Sequence, residues 1–251
     1  MLYSAKYNFI FSKSIKTAST SVEAALECLI RGEMAPHGTN SMLFPDGSRI
    51  GYRGIKADIE KDPNFNTPAF SKNHYSLNQI RDLIGKDKFE SAYKISSIRN
   101  PYDRCISAFH FQNRTEEAKG IDNFVLLKKT GKIDQIKKSF ASFMLGNKYS
   151  GMMHFYCGST MVIDKFIKME EIPGGLSDVF AKLNVARDLS EYIIANIPKF
   201  KKTSRAKIGL KISDYYTPET INVVNSLYSN WFVWGNYEIC QSLTDLDNAF
   251  L

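Results

Sequence analysis

Cysteine is scarce and scattered. Cys28, Cys105, Cys157 and Cys240 form no CxxC pair and have no histidine at ligand spacing. A disulfide framework and a structural zinc site are thereby disfavoured, and four reduced, mostly buried thiols are expected. No apolar run approaches the roughly 20 residues that span a bilayer, so no membrane partner is expected. Glycine and proline number only 15 and 8 among 251 residues, which excludes collagen-like and low-complexity chains. The opening MLYSAKYNFIFSKS has a short apolar stretch broken by Lys6 and no small-residue cleavage site. It does not read as a signal peptide, and a reducing cytoplasm is the expected compartment.

Acidic residues are also in deficit. Asp and Glu total 26 against 33 Lys and Arg, a net charge of +7. The excess favours an anionic partner, whether nucleic acid, an acidic surface or a phosphorylated small molecule. The basic run Lys199, Lys201, Lys202, Arg205, Lys207 and Lys211 has only Phe200 interleaved with it. Single-strand binding would want more aromatic platforms, so no nucleic-acid partner is expected.

Against these absences stands an alternation of strands and helices. Tyr7–Phe11 is a short apolar, aromatic run that suits a buried strand, and Tyr93–Ile98 and Met161–Ile167 read as a second and a third strand. Helical patterning follows from Val22 to a stop at Gly32, over Leu77–Ile84 between Ser76 and Gly85, and over Tyr102–Phe111 after Pro101. Residues 115–158 read as mostly helical. Further helices are expected over Leu176–Leu183, after a Gly174-Gly175 turn, and over Pro218–Trp231, capped by Thr217. Pro45-Asp46-Gly47-Ser48 marks a hairpin turn, and 64–68 a loop. No repeat and no linker divides the chain, which predicts one α/β domain over residues 1–251 around a parallel sheet.

Two loops carry chemistry. Lys13 to Ser21 (KSIKTASTS) lies between the first strand and its helix, where free backbone N–H groups and the helix dipole face an anion. It lacks the glycines of the GxxxxGK[ST] loop, and Lys16 precedes the small residues. Lys16 supplies a point charge, and Thr17, Ala18, Ser19, Thr20 and Ser21 supply close backbone and hydroxyl donors. A plain Ser/Thr helix cap is the competing reading. In the second loop Arg99 ends a strand, and Ser107 follows two helical turns on. An Arg fork with a hydroxyl suits a phosphate monoester, whereas a local Arg99–Asp103 ion pair is the structural alternative.

With the strands that carry them, these loops resemble the sulfotransferase family, which uses 3′-phosphoadenosine 5′-phosphosulfate (PAPS) as sulfuryl donor. IKTASTS is similar to its 5′-phosphosulfate loop PKTAGTS, and IRNPYDRCISAF to its 3′-phosphate segment RNPxxRxxSxY. Asn73-His74-Tyr75-Ser76 resembles the His-x-Ser of the heparan 2-O-sulfotransferase branch. Lys165 to Glu170 resembles the DFIGRFE strand, Lys202-Thr203-Ser204-Arg205 the KSSR loop, and Tyr215-Tyr216 with Trp234 to Tyr237 the terminal YY…FGY region. The likeness covers roughly residues 8–238. Ser19 stands where the family has Gly, Ile15 where it has Pro, and Phe109 where it has Tyr.

The resemblance implies a P-loop-like three-layer fold with a central, mostly parallel sheet flanked by helices. It implies in-line sulfuryl transfer without a metal, releasing adenosine 3′,5′-bisphosphate. Lys16 would stabilise the leaving oxygen, and Lys13 and Thr17 to Ser21 would hold the 5′-phosphate side. Arg99 and Ser107 would hold the 3′-phosphate, and Lys202, Ser204 and Arg205 would close the nucleotide site. His74 is the candidate base, with a helix-capping histidine as the alternative and His110 or Glu23 as substitutes. Residues 33–72 and 112–158 are the expected acceptor-side insertions. Met34, Met42, Phe44, Tyr52, Met152, Met153, Phe155 and Tyr156 within them are not notably charged. They favour a small metabolite or natural product as acceptor, with a saccharide second. A P-loop kinase or nucleotidase would want a Mg²⁺-binding Asp where the second strand ends in Arg99. A non-catalytic nucleotide or nucleic-acid binder is the other reading.

Overall fold

The chain begins with a strand that its composition hides. Leu2–Ser4 (β1) is buried and folds back antiparallel on Phe9–Ser12 (β2), pairing Leu2 with Phe11 and Ser4 with Phe9. Asn8 turns the corner at φ 48°, a left-handed conformation that asparagine tolerates better than most residues. The computed structural model describes residues 1–33, 42–51, 74–112, 130–131, 133–146, 152–198 and 209–250. Lys202, Ser204, Arg205, His37, the 64–68 loop and parts of both expected insertions lie outside the described residues.

Helix α1 spans Ser19–Arg31 and stops at Gly32, whose φ of 79° is open to glycine at no steric cost. Met42–Leu43 (β3) and Arg49–Ile50 (β4) form the expected hairpin, where Asp46 accepts a hydrogen bond from the Ser48 N–H. Leu77–Ile84 (α2) has the predicted ends, with a capping box between Ser76 and Gln79 and Gly85 after its last turn. Lys86–Ser91 (α3) leads into Tyr93–Ile98 (β5), again at the predicted bounds. Pro101–Gln112 (α4) and Ile133–Gly146 (α5) follow. Tyr156–Cys157 (β6) and Thr160–Met161 (β7) make a separate small hairpin before Lys165–Lys168 (β8). Ile172–Lys182 (α6), Arg187–Ala195 (α7), Pro218–Leu227 (α8), Ser229–Gly235 (α9) and Leu243–Asn248 (α10) complete the described elements.

The fold is α/β. Its main sheet has the order β3-β4-β1-β2-β5-β8. The three strands β2, β5 and β8 run parallel, and β1, β4 and β3 extend the sheet antiparallel at the β2 edge. The chain divides into two compact units, each built from two stretches: residues 1–98 with 151–200, and residues 99–150 with 201–251. The first unit holds the sheet. Its core joins Phe9, Phe11 and Ile95 of the strands to Val22 and Leu26 of α1 and to Leu176, Val179 and Phe180 of α6. The second unit is helical and aromatic. Phe109, Phe140, Tyr215 and Tyr216 meet mostly edge to face, with Phe140 and Tyr216 centroids 4.8 Å apart. Arg104 is buried there, its guanidinium 5.2 Å from the Tyr228 ring centroid and 4.5 Å from that of Trp231.

The strand expected from Tyr7 starts only at Phe9, after the Asn8 turn, and three further expected elements differ from those observed. The strand expected over Met161–Ile167 starts only at Lys165, because the turn at Gly158 (φ 62°) draws Thr160 and Met161 into the small hairpin. Asp164 then closes the ladder, its carboxylate accepting from the Lys94 N–H at 2.7 Å. The expected Pro218–Trp231 helix breaks at Tyr228 (φ −115°), whose hydroxyl accepts a hydrogen bond from Arg104 at 2.8 Å. Gly174 and Gly175 are inside α6, not in a turn before it. Gly175 allows the helix to approach the sheet, since a Cβ there would lie 2.9 Å from Ile167 Cγ2 and 3.4 Å from its Cα. Gly174 has open space around it.

The two neighbours are therefore expected to respond with opposite sign. Gly175→Ala should destabilise by about 1–3 kcal/mol through overpacking. Gly174→Ala should stabilise by about 0.5–1 kcal/mol through helix propensity. Urea unfolding midpoints of the two variants test this directly.

Candidate functional site

The loop between β2 and α1 is bolted to the end of β5 by buried hydroxyls. Ser14 Oγ donates to the Ser97 carbonyl at 2.5 Å and lies 2.6 Å from Thr17 Oγ1, which is itself 2.7 Å from Ser97 Oγ. Ser96 Oγ donates to the Ser12 carbonyl at 2.7 Å. These groups are all buried, so each needs a partner, and they supply one another. Two adjacent serines in a buried central strand are the sequence signal for this bolt, which the loop motifs themselves do not single out.

Within the loop, Lys16 (φ 65°) and Ala18 (φ 54°) both adopt the left-handed conformation. Such residues cost on the order of 1–3 kcal/mol each and persist where surrounding structure holds them. Ala18 starts α1 with no side-chain cap and no acidic residue in the first turn, in contrast to the capping boxes of α2, α8 and α10. The plain-cap reading of the Ser/Thr run is therefore not realised. Ser19, in place of the family glycine, turns its hydroxyl back to the Ser14 carbonyl at 2.6 Å. Thr17 is likewise committed to the bolt. Thr20 is half-buried, and Ser21 is buried in the first turn of the helix.

Lys13 is held differently from the expectation of an anion ligand. It is 3% exposed, and its ammonium sits 2.6 Å from Glu23 Oε2. The other Glu23 oxygen takes the Met1 amino group at 2.6 Å. Glu23 is thus a fully buried ion-pair partner, not a poised base. The Lys13 carbonyl faces His74 Nδ1 at 2.8 Å. A carbonyl only accepts, so Nδ1 carries the proton and Nε2 keeps its lone pair. Burial pushes the His74 pKa down from 6.5 to about 4, against the hydrogen bond to Lys13, which raises it. Ser76, not His74, caps α2. A second imidazole, His154, lies with its ring centroid 5.7 Å from that of His74 and donates Nδ1–H to the Tyr75 carbonyl at 3.1 Å. Its chain neighbours carry no signal of this position.

In the second unit, Arg99 is 5% exposed and grips Asp103 Oδ2 through Nε at 2.8 Å and Nη2 at 2.5 Å. The structural alternative for Arg99 is thus present as geometry. The pair fixes the guanidinium plane, and a guanidinium carries five N–H donors in a rigid fork. Ser107 is buried on α4, and its hydroxyl has no hydrogen-bond partner among the described residues. His110 Nε2 lies 2.8 Å from the Tyr215 hydroxyl inside the aromatic core, a structural placement. All four cysteines are free and three are buried; burial pushes the Cys105 thiol up to about 11.

Below pH 6.5 the unfolded chain takes a proton on His74 that the folded chain refuses until about pH 4. Stability contributed by the neutral imidazole is full above this window and falls as pH drops through it, by up to about 3 kcal/mol. His74→Phe should flatten that part of the acid loss, seen by comparing urea midpoints of both proteins at about pH 7 and about pH 4.5.

The model of the sulfotransferase family matches residues 1–232. Neither the curated proteins nor the solved structures contain a match to the chain.

Proposed function

This chain belongs to the sulfotransferase family, whose members transfer sulfuryl groups, and on that premise we propose that its donor is PAPS and its acceptor a hydroxyl or amine of a small metabolite, natural product or saccharide. The observation that carries the reading is the uncapped start of α1, with two left-handed non-glycine residues before it. A helix N-terminus without its own cap or acid is suited to an anion, and the strain at Lys16 and Ala18 is what a loop shaped for a ligand retains.

PAPS, as donor substrate, brings a sulfuryl group on a phosphate leaving group. The backbone N–H groups at the start of α1 bind its 5′ side, and Lys16 offsets negative charge gathering on the leaving oxygen. Thr17 and Ser19 act indirectly, by holding the loop in shape. Arg99, oriented by Asp103, and the Ser107 hydroxyl bind the 3′-phosphate and so favour PAPS over ATP. Lys202, Ser204 and Arg205 keep the role the family resemblance implies, as further nucleotide ligands. His74 takes the acceptor proton on Nε2, already in the required tautomer and uncharged near neutral pH. Lys13 and Glu23 support this base through the Lys13 carbonyl.

Calorimetric titration with adenosine 3′,5′-bisphosphate, against ADP and ATP with Mg²⁺, tests the donor. Metal-independent binding that prefers the 3′-phosphate is expected; preference for ATP with Mg²⁺ would refute the reading. Arg99→Ala should weaken that binding by about 10–100-fold, the loss of a charge-assisted hydrogen bond. Lys16→Ala should lose turnover. His74→Ala should keep nucleotide binding and lower turnover by about 10²–10⁴-fold. With His74 neutral down to about pH 4, its titration should leave the rate flat above about pH 5.5 and depress it only in more acid solution.

A further inference from the structure

A pocket of about 390 Å³ lies in the first unit, lined by Ser76, Asn78, Met152, Met153, Tyr156 and Gly158. Its volume is within the range of small-molecule sites. Its two walls are the start of α2 and the segment from Met152 to Gly158, and each wall adjoins one of the two histidines along the chain. Ser76 is two residues beyond His74, and Met152 and Met153 directly precede His154. The walls are stitched together by His154 Nδ1–H on the Tyr75 carbonyl at 3.1 Å and by the Gly158 N–H on Asn78 Oδ1 at 3.0 Å. Among the described lining residues none is charged. Two thioethers and a phenol ring form an adaptable apolar surface, and the Ser76 and Asn78 side chains add neutral polar groups at its edge.

We infer that this pocket seats the body of the acceptor, and that the acceptor is an uncharged alcohol or phenol with an apolar, preferably aromatic, framework. The inference rests on the sulfotransferase reading and narrows it. A polyanionic glycan needs paired cations to offset the desolvation of its charges, and the described lining residues provide none. An aryl or alkyl framework gains by leaving water, and the nearby neutral imidazole of His74 receives the hydroxyl proton. In the transfer, the acceptor oxygen forms the new bond to sulfur and its proton passes to His74 Nε2. The bond from sulfur to the 5′-phosphate oxygen of PAPS breaks, and adenosine 3′,5′-bisphosphate leaves with that electron pair. His154 is a positioning residue that holds the two walls together.

The test uses 2-naphthol as the uncharged probe and glucuronic acid as the charged one, with PAPS as donor and three proteins: wild type, Met153→Glu and Val233→Glu. Met153 is 53% exposed and Val233 77% exposed, so each site tolerates a carboxylate. Wild type should form naphthyl sulfate and show little transfer to glucuronic acid. Met153→Glu should raise KM for 2-naphthol at least about 10-fold with nucleotide binding unchanged, whereas Val233→Glu should match wild type. Titration of adenosine 3′,5′-bisphosphate into the same proteins separates the two readings. Absence of nucleotide binding overturns the donor assignment. Nucleotide binding without naphthyl sulfate, preferred transfer to glucuronic acid, or a Met153→Glu protein that handles 2-naphthol like wild type overturns the acceptor assignment.

Discussion

The hydroxyls of Ser14, Thr17 and Ser97 meet in a buried cluster that ties the loop after β2 to the end of β5. Everything proposed for the loop depends on this tie. Two non-glycine residues in left-handed conformation would relax if the loop were free, and a relaxed loop would not present a shaped backbone to an anion. The cluster works because three small hydroxyls, each both donor and acceptor, satisfy one another at a point where strand, loop and helix converge. Ser19 adds a fourth hydroxyl, donated to the Ser14 carbonyl. That explains how a side chain is accommodated where the family has glycine: the hydroxyl points into the loop's own backbone.

The same loop begins at a buried charged group. Glu23 is fully buried and offset by Lys13, itself almost fully buried. Such a pair gains little net stability over an apolar filling, because desolvation of both ions opposes their attraction. Its effect is on geometry. Lys13 cannot move without breaking a buried ion pair with Glu23, whose other oxygen takes the Met1 amino group; removing one partner of a buried pair costs about 3–5 kcal/mol. The Lys13 carbonyl is therefore a fixed acceptor, and it sets both the orientation and the tautomer of His74. Burial then keeps that imidazole neutral. An acid buried for structural reasons and a histidine with a basic Nε2 are linked through one backbone group.

The second unit solves a similar problem with different chemistry. Arg104 carries a full charge into an aromatic core and is met by the faces of Tyr228 and Trp231 and by the Tyr228 hydroxyl. Arg99, five residues earlier, is met instead by a carboxylate. The guanidinium enclosed by π faces is structural. The one oriented by Asp103 has its fork held in a fixed plane, which is the distinction the proposed 3′-phosphate role needs.

Local pattern determined the elements whose ends are set by local chemistry. Leu77–Ile84 lies between a capping serine and a glycine, and Tyr93–Ile98 is a short run stopped by Asn100-Pro101; both have the predicted bounds. The two loops and His74 were legible as motifs. Tertiary structure decided what those residues touch: Lys13 meets Glu23, the Thr17 and Ser19 hydroxyls bond to Ser97 and to the Ser14 carbonyl, and His154 lies beside His74. It also placed Gly174 and Gly175 inside a helix, where Gly175 packs closely on Ile167 and Gly174 faces open space. The division has one physical reason. Caps and periodicity act within a few residues along the chain, whereas ion pairs, hydroxyl cages and close packing join residues such as Ser14 and Ser97 that become neighbours only when the strands pair.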